Sequence, residues 1–300
     1  MKSTPLAFFG TADFSATILK SLLANEWNVT LVITRPDAPV GRRRRLQPPT
    51  VKTLAQQHDI AVLQPTSAAE LNAQAPTLKP YQWGVVASYG LIIPAEILAI
   101  FEGGLINVHP SLLPRWRGPS PIEATLLHGD NKTGNSLMKL TAFMDAGPVY
   151  TASELAIDEK TDRVQLQERL AADGAQLLVD NLDTIVDGSL TPEPQDESQA
   201  TYSRLLTKAD AWIDWEQSAQ FIDRRVRAYR EWPGNKSYVY GTLVDVEEVH
   251  VVDACGEPGT VDVINDQPVV YASDTGVALT RLKPSGRRSM SGPDFVRGYM

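Results

Sequence analysis

Residues 107–118 read NVHPSLLPRWRG, and the way the first three meet the proline behind them decides the fold. Leu105, Asn107 and His109 alternate with Ile106 and Val108, so in an extended strand the carboxamide and the imidazole leave from one face. Pro110 has no N–H to give a sheet ladder, which puts His109 at or near the carboxyl end of that strand. In an open parallel α/β sheet, ligands bind at that end.

Working outward, short apolar runs alternate with helical periods, the pattern of βα units. LAFFG (6–10), NVTLVIT (28–34), IAVLQ, WGVVAS (83–88), LINVH and SLMKLTA (136–142) read as strands, the last at a mixed edge. FSATILKSLLAN (14–25), VKTLAQQH (51–58) and the long period over 161–189 read as helices. The expected fold over 1–189 is therefore α/β, a Rossmann-like, mostly parallel sheet. TPEPQDESQATY then gathers proline, acids and small polar residues, the composition of a linker over 190–204. From 205 to 300 the pattern changes to one helix, SAQFIDRRVRAYR, followed by SYVYG, TLVDVEEVHVV, GTVDVI, PVVYAS and GVALTRL. Short strands at regular spacing predict a small antiparallel, OB-like β-barrel domain.

Composition narrows the function. A chain of 300 residues with 43% hydrophobic and 21% charged residues is an ordinary globular protein with enough material for two cores. No apolar run approaches the roughly 20 residues a membrane helix needs, and MKSTPLAFFGTADF has no leader pattern. A cytoplasmic monomer without membrane contact is expected. One cysteine excludes an internal disulfide, and four scattered histidines give no metal-ligand spacing, so chemistry without a metal is expected. FGTADF carries only Gly10 where a dinucleotide fingerprint needs three glycines, and Asp37 lies in TRPD rather than at a clean strand end. The net charge of −8 hides basic clusters: GRRRR at 41–45, Arg224, Arg225, Arg227 and Arg230 in FIDRRVRAYR, and Arg287 with Arg288. Such patches can hold a polyanion on an acidic protein, although a charge run is also the composition of a solvated loop. On FIDRRVRAYR, Phe221, Ile222, Val226 and Tyr229 are expected to face a core and Arg224, Arg225 and Arg227 to face outwards, where solvent or RNA would serve equally.

The runs FGTADF, RPDAPVGRRRRLQPPTVK, SYGLIIP, INVHPSLLPRWRG, HGDNKTG, MDAG (144–147), IDW and WPG together resemble the folate-dependent formyltransferase family over essentially the whole chain, with N-x-H-x-S-L-L-P-x-x-R-G as its most specific signature. The resemblance implies a catalytic triad of Asn107, His109 and Asp145. It implies a site for 10-formyltetrahydrofolate between Tyr89, Gly90, Leu91, Ile92 and Ile93 on one side and Ser111, Leu112, Leu113 and Pro114 on the other, with Arg117 and Gly118 holding the loop. The arginine loop and the second domain favour a branch that formylates the α-amino group of methionyl initiator tRNA, with Arg42 as principal tRNA contact and Arg43, Arg44 and Arg45 adding phosphate attraction. The chemistry suits these residue types: amine attack on a formamide develops an oxyanion, which a carboxamide from Asn107 and an imidazolium from His109, its ring oriented by Asp145, stabilise. An α-amino group, with a reference pKa of about 7.7–8.0, is already partly neutral at physiological pH. In the family a second Asp usually follows the MDAG glycine; this chain has Pro148. The competing readings are a sugar-nucleotide N-formyltransferase, a folate hydrolase, and a non-catalytic RNA-binding protein on the same fold.

Overall fold

The computed structural model describes residues 2–41 and 44–300. The chain folds as two compact units, the first formed by residues up to 118, 132–156 and 167–202, the second by 119–131, 157–166 and 203–300.

In chain order the elements up to the first long helix are β1 (Leu6–Gly10), α1 (Asp13–Ala24), β2 (Val29–Ile33), β3 (Ala38–Val40), β4 (Arg45–Gln47), α2 (Thr50–Gln57), β5 (Ala61–Leu63), α3 (Ala68–Ala73), α4 (Ala75–Leu78), β6 (Trp83–Ala87), α5 (Ala95–Leu98), β7 (Gly104–His109), α6 (Pro121–His128), β8 (Lys132–Lys139), β9 (Val149–Ala156) and α7 (Arg163–Val186). Seven strands form one sheet in the order β5-β2-β1-β6-β7-β8-β9. The first five run parallel, and β8 and β9 are antiparallel additions. All five residues of β1 are buried, as a strand covered on both faces requires. Helix α1 buries Phe14, Ile18, Leu19 and Leu22, a single stripe at helical spacing.

The strand order reverses between β1 and β6, and the carboxyl ends of those two strands are tied directly. Ser15 Oγ donates to the Ala87 carbonyl at 2.6 Å and Thr11 Oγ1 to the Tyr89 carbonyl at 2.8 Å. Gly10 is required there, since a Cβ would lie 2.6 Å from both the Phe8 ring and Ser15 Cβ.

Three departures from the sequence reading matter. The strand expected at 136–142 starts earlier and stops at Lys139. Strands β3 and β4 pair antiparallel, with Val40 opposite Arg45, and no alternation in PVGRRRRLQ announces them. The stretch read as a linker is ordered against the first unit: Val149 and Glu193 exchange both backbone hydrogen bonds at 2.8 and 2.9 Å, and Arg117 N–H donates to the Thr201 carbonyl at 2.9 Å.

The second unit adds α8 (Ala219–Ala228), β10 (Lys236–Val239), β11 (Thr242–Val252), β12 (Val261–Ile264), β13 (Gln267–Tyr271), β14 (Gly276–Pro284), β15 (Met290–Ser291) and α9 (Gly292–Tyr299). Its antiparallel sheet runs β10-β11-β14-β13-β12, with β15 beside β14. The sheet curls until Tyr240, just past β10, donates its hydroxyl to the Val261 carbonyl on β12 at 3.1 Å, so a side chain links its two ends. Ile222 and Val226 of α8, Val244 and Val246 of β11, Leu279 and Leu282 of β14 and Phe295 of α9 form its core.

Arg225 is corrected: it faces inward. Ile222, Arg225, Val226 and Tyr229 stand at i, i+3, i+4 and i+7, one face of the helix. Its guanidinium, 5% exposed, donates to Asn235 Oδ1 (2.7 Å) and to the Asp210 and Trp212 carbonyls (2.5 and 2.9 Å). Burial pushes its pKa down to about 10, which leaves it charged at neutral pH. Arg227 pairs with Asp223 and Arg230 with Asp162, both at 3.0 Å. The Arg225→Met variant is expected to lose about 2–4 kcal/mol of stability, because one buried and two part-buried acceptors lose their donors. Chemical denaturation of that variant with an unchanged midpoint would refute this role.

Candidate active site

Strand β7 delivers Asn107 and His109 to the carboxyl end of the sheet. Asn107 stands opposite Val86 on one side and Met138 on the other, and His109 opposite Ser136. Asn107 is 8% exposed and His109 is 5% exposed. The Asn107 carboxamide has no hydrogen-bond partner among the described residues. The carboxamide is not sealed from solvent, so at the carboxyl end of β7 its polar atoms are open to a ligand.

His109 Nε2 lies 3.1 Å from the Trp116 carbonyl, which can only accept, so Nε2 carries a proton. Nδ1 faces Asp145 Oδ1 at 3.8 Å, and the other carboxylate oxygen accepts the Gly118 N–H at 2.8 Å. This meeting of residues 109 and 145 needs a fold-back. Strand β8 runs opposite to β7 and finishes beside Ile106, so the turn after it returns along the sheet to bring Asp145 to His109. Asp145 (φ +48°) and Trp116 (φ +60°) both hold left-handed backbone, which costs a side-chain-bearing residue on the order of 1–2 kcal/mol. Strain of this kind concentrates where geometry serves a site.

Behind them lies Arg117, 1% exposed. Its Nη1 and Nη2 donate to the two Glu197 carboxylate oxygens at 2.9 and 2.8 Å, and its Nε and Nη2 donate to Gln195 Oε1 at 3.0 and 2.9 Å. The pairing moves both groups: Glu197 holds the Arg117 pKa above its ordinary value, and Arg117 holds the Glu197 carboxyl below its own. Gln195 and Glu197 escape a sequence reading, since their setting has the composition of a linker.

The two loops assigned to the folate differ in what they offer. Ser111 is fully buried; its hydroxyl donates to the Arg115 carbonyl at 2.6 Å and its own carbonyl accepts from Ser136 Oγ at 2.7 Å. It holds the loop together and has no hydroxyl to present. Leu112, Leu113 and Pro114 are half-buried, with a cis peptide at Leu113–Pro114. The Tyr89 ring turns into the core and meets Phe9 edge-on at 5.5 Å between centroids, so only its backbone stands at the loop. The Gly90 carbonyl takes a hydrogen bond from Arg35 at 2.8 Å. Leu91 and Ile93 pack on the same core, and Ile92 is 78% exposed. Beside Asp145, Phe143 is 76% exposed.

Arg42 and Arg43 lie outside the described residues. Arg44 and Arg45 are exposed on the hairpin, with Arg44 N–H donating to the Gly41 carbonyl at 3.1 Å. At its base Asp37 is engaged by Lys52 and Gln64, both at 2.8 Å, which hold its carboxyl below the usual range. It is therefore not a free ribose-binding acid. Among the described residues no three His, Cys, Asp or Glu side chains gather to hold a metal ion.

Comparison with known proteins gives the family. A family model described as formyl transferase matches residues 4–182, and one described as formyl transferase, C-terminal domain, matches 205–300. A methionyl-tRNA formyltransferase of Dehalococcoides mccartyi is 42% identical over 305 aligned residues, covering 99% of this chain and 96% of that protein. One from Bacillus subtilis is 36% identical, covering 98% and 95%. Among solved structures, an N-formyltransferase from Helicobacter canadensis in complex with folinic acid and dTDP-3-aminofucose superposes with a TM-score of 0.71 at 16% identity, over 92% of this chain and 98% of that one. At this identity the likeness concerns the fold.

The enclosed Tyr89 hydroxyl has no partner among the described residues, and burial pushes its pKa up to about 12. Tyr89→Phe is expected to be more stable by about 1 kcal/mol at neutral pH, since the orphaned hydroxyl is removed. The unfolded phenol ionises near pH 10 while the folded one stays neutral. Wild-type stability therefore falls with rising pH from there to about 12, and the advantage of Phe widens. Paired urea titrations across that window test this, and a constant gap would contradict it.

Proposed function

The chain belongs to the formyltransferase family, and on that premise we infer that it transfers the formyl group of 10-formyltetrahydrofolate to the α-amino group of methionyl initiator tRNA. One observation carries the reading: the Asn107 carboxamide, on a residue 8% exposed and without a hydrogen-bond partner among the described residues, stands two residues from a histidine that faces a carboxylate at 3.8 Å. The folate, when bound, supplies a formyl carbon as a formamide. The Asn107 carboxamide offers its N–H to the oxygen on which charge develops, and being fixed by the fold it needs no reorganisation; the His109 Nε2–H joins it only by exchanging the Trp116 carbonyl for that oxygen. Asp145 and the Trp116 carbonyl hold the imidazole between them. Beyond the carboxyl ends of β1 and β6, where ligands bind in open α/β sheets, the partly buried Leu91 and Ile93 give the folate an apolar surface.

Transfer RNA is met by the arginine run Arg42–Arg45 and by the domain at 205–300. Within that domain Arg225, Arg227 and Arg230 are engaged internally, whereas Arg287 and Arg288 are exposed, so the turn after β14 is the better tRNA contact. Each assigned residue belongs to the same copy, so a monomer suffices. No helix among the described residues is long and apolar enough to cross a membrane, and the reaction is assigned to the cytoplasm.

The assay offers 10-formyltetrahydrofolate with methionyl initiator tRNA, an amino-sugar nucleotide, or water alone. Formyl-methionyl-tRNA is the expected product; formyl sugar or free formate as the sole product would contradict the reading. His109→Ala is expected to lose about a hundredfold or more in transfer rate with tRNA binding preserved. Arg42→Ala should weaken tRNA use and lower its salt slope by about one, leaving folate kinetics intact; unchanged tRNA kinetics would count against the loop.

A further inference from the structure

Nothing so far explains what keeps Asp145 in its left-handed conformation. Gly118 N–H holds its carboxylate, but its backbone is gripped from elsewhere. Gln195 Nε2 donates to the Asp145 carbonyl at 2.8 Å and to the Gly147 carbonyl at 2.7 Å. The orientation of this amide follows from its partners. Arg117 has only donors, so the oxygen of Gln195 must face it; the two carbonyls only accept, so the nitrogen must face them. All four hydrogen bonds of the amide run between Arg117 and the 145–147 turn.

We propose that Gln195 is a positioning residue for the reaction, a clamp that sets the backbone from which the Asp145 carboxylate reaches His109. One NH2 group bonding two carbonyls of one turn forces them to converge, and that convergence goes with φ +48° at Asp145. The turn cannot retreat on its other side: a Cβ at Gly147 would already lie 1.8 Å from the Lys139 carbonyl oxygen. Nor can Gln195 drift, because the strand carrying it is pinned at both ends. Glu193 pairs with Val149, and Thr201 takes the Arg117 N–H on its carbonyl (2.9 Å) and the Trp116 N–H on its hydroxyl (2.9 Å). A glutamate at 195 would still accept from Arg117 but would turn a bare oxygen toward two carbonyl oxygens.

The inference rests on Asp145 serving the reaction proposed above, and the test separates the two. Formyl transfer is measured at single turnover and at steady state for the unaltered chain, Gln195→Glu, Asp145→Asn and the double variant, alongside thermal unfolding. Gln195→Glu is expected to lower kcat by about tenfold to a hundredfold, the scale of an ångström-sized misplacement. KM for both substrates should move less than about threefold and the unfolding midpoint by only a few degrees. In the Asp145→Asn background the same change should cost little more, since the two act through one carboxylate. Gln195→Ala, which removes the donors without adding charge, should behave alike if the glutamate variant folds poorly. Unchanged kcat, or an equal loss in both backgrounds, overturns the clamp while leaving the reaction standing. No transfer by the unaltered chain overturns the reaction and the clamp together.

Discussion

The Arg117 guanidinium is the constraint on which this site depends. A cation 1% exposed would be strongly destabilising alone, and it is tolerated because a carboxylate and a carboxamide oxygen receive four of its N–H bonds. Its position has a wider effect than its energy. Residues 115–118, 145–147 and 193–202 belong to no strand ladder; the last holds only single bridges at Glu193 and Tyr202 and a 3-10 turn at Glu197–Gln199. One planar fork, with donors in fixed directions, connects the first and last of these, and Gln195 passes the connection to the second.

The rest of the site is a consequence of sheet polarity. Parallel strands bring β1, β6 and β7 out at one end, and His109 is the last residue of β7. The antiparallel β8 would carry the chain away from that end, and only a turn folded back along the sheet returns Asp145 to the imidazole. Regular structure therefore places Asn107 and His109, while side-chain hydrogen bonds place Asp145. That division matches the strain: positive φ at side-chain-bearing residues falls at Trp116 and Asp145, whereas within β7 only the opening Gly104, which has no Cβ, takes it.

What was legible in the sequence follows the same division. Alternation and Pro110 give β7 and its end, and the βα pattern gives the parallel sheet, because both depend on local backbone chemistry. The charge of Arg225 points outward, but i, i+3, i+4 and i+7 put it with Ile222, Val226 and Tyr229, and position outweighs charge. The strap at 193–202 was read as a linker because its proline and acidic residues suit exposed chain equally well; nothing local shows that Gln195 and Glu197 meet a buried arginine. The approach of Asp145 to His109 was available only through family resemblance, since no periodicity relates residues 36 positions apart. Pro148 leaves that turn intact, with its carbonyl accepting the Lys139 N–H at 2.9 Å.

The most direct test of this assembly is Arg117→Lys, assayed for formyl transfer under saturating substrates together with its unfolding midpoint. Lysine keeps the charge but has no fork to grip Glu197 and Gln195 at once, so the account requires a large fall in turnover, about a hundredfold, even in protein that remains folded. Turnover close to that of the unaltered chain would mean that the three loops hold the carboxylate at His109 without the guanidinium, and the central constraint would be wrong.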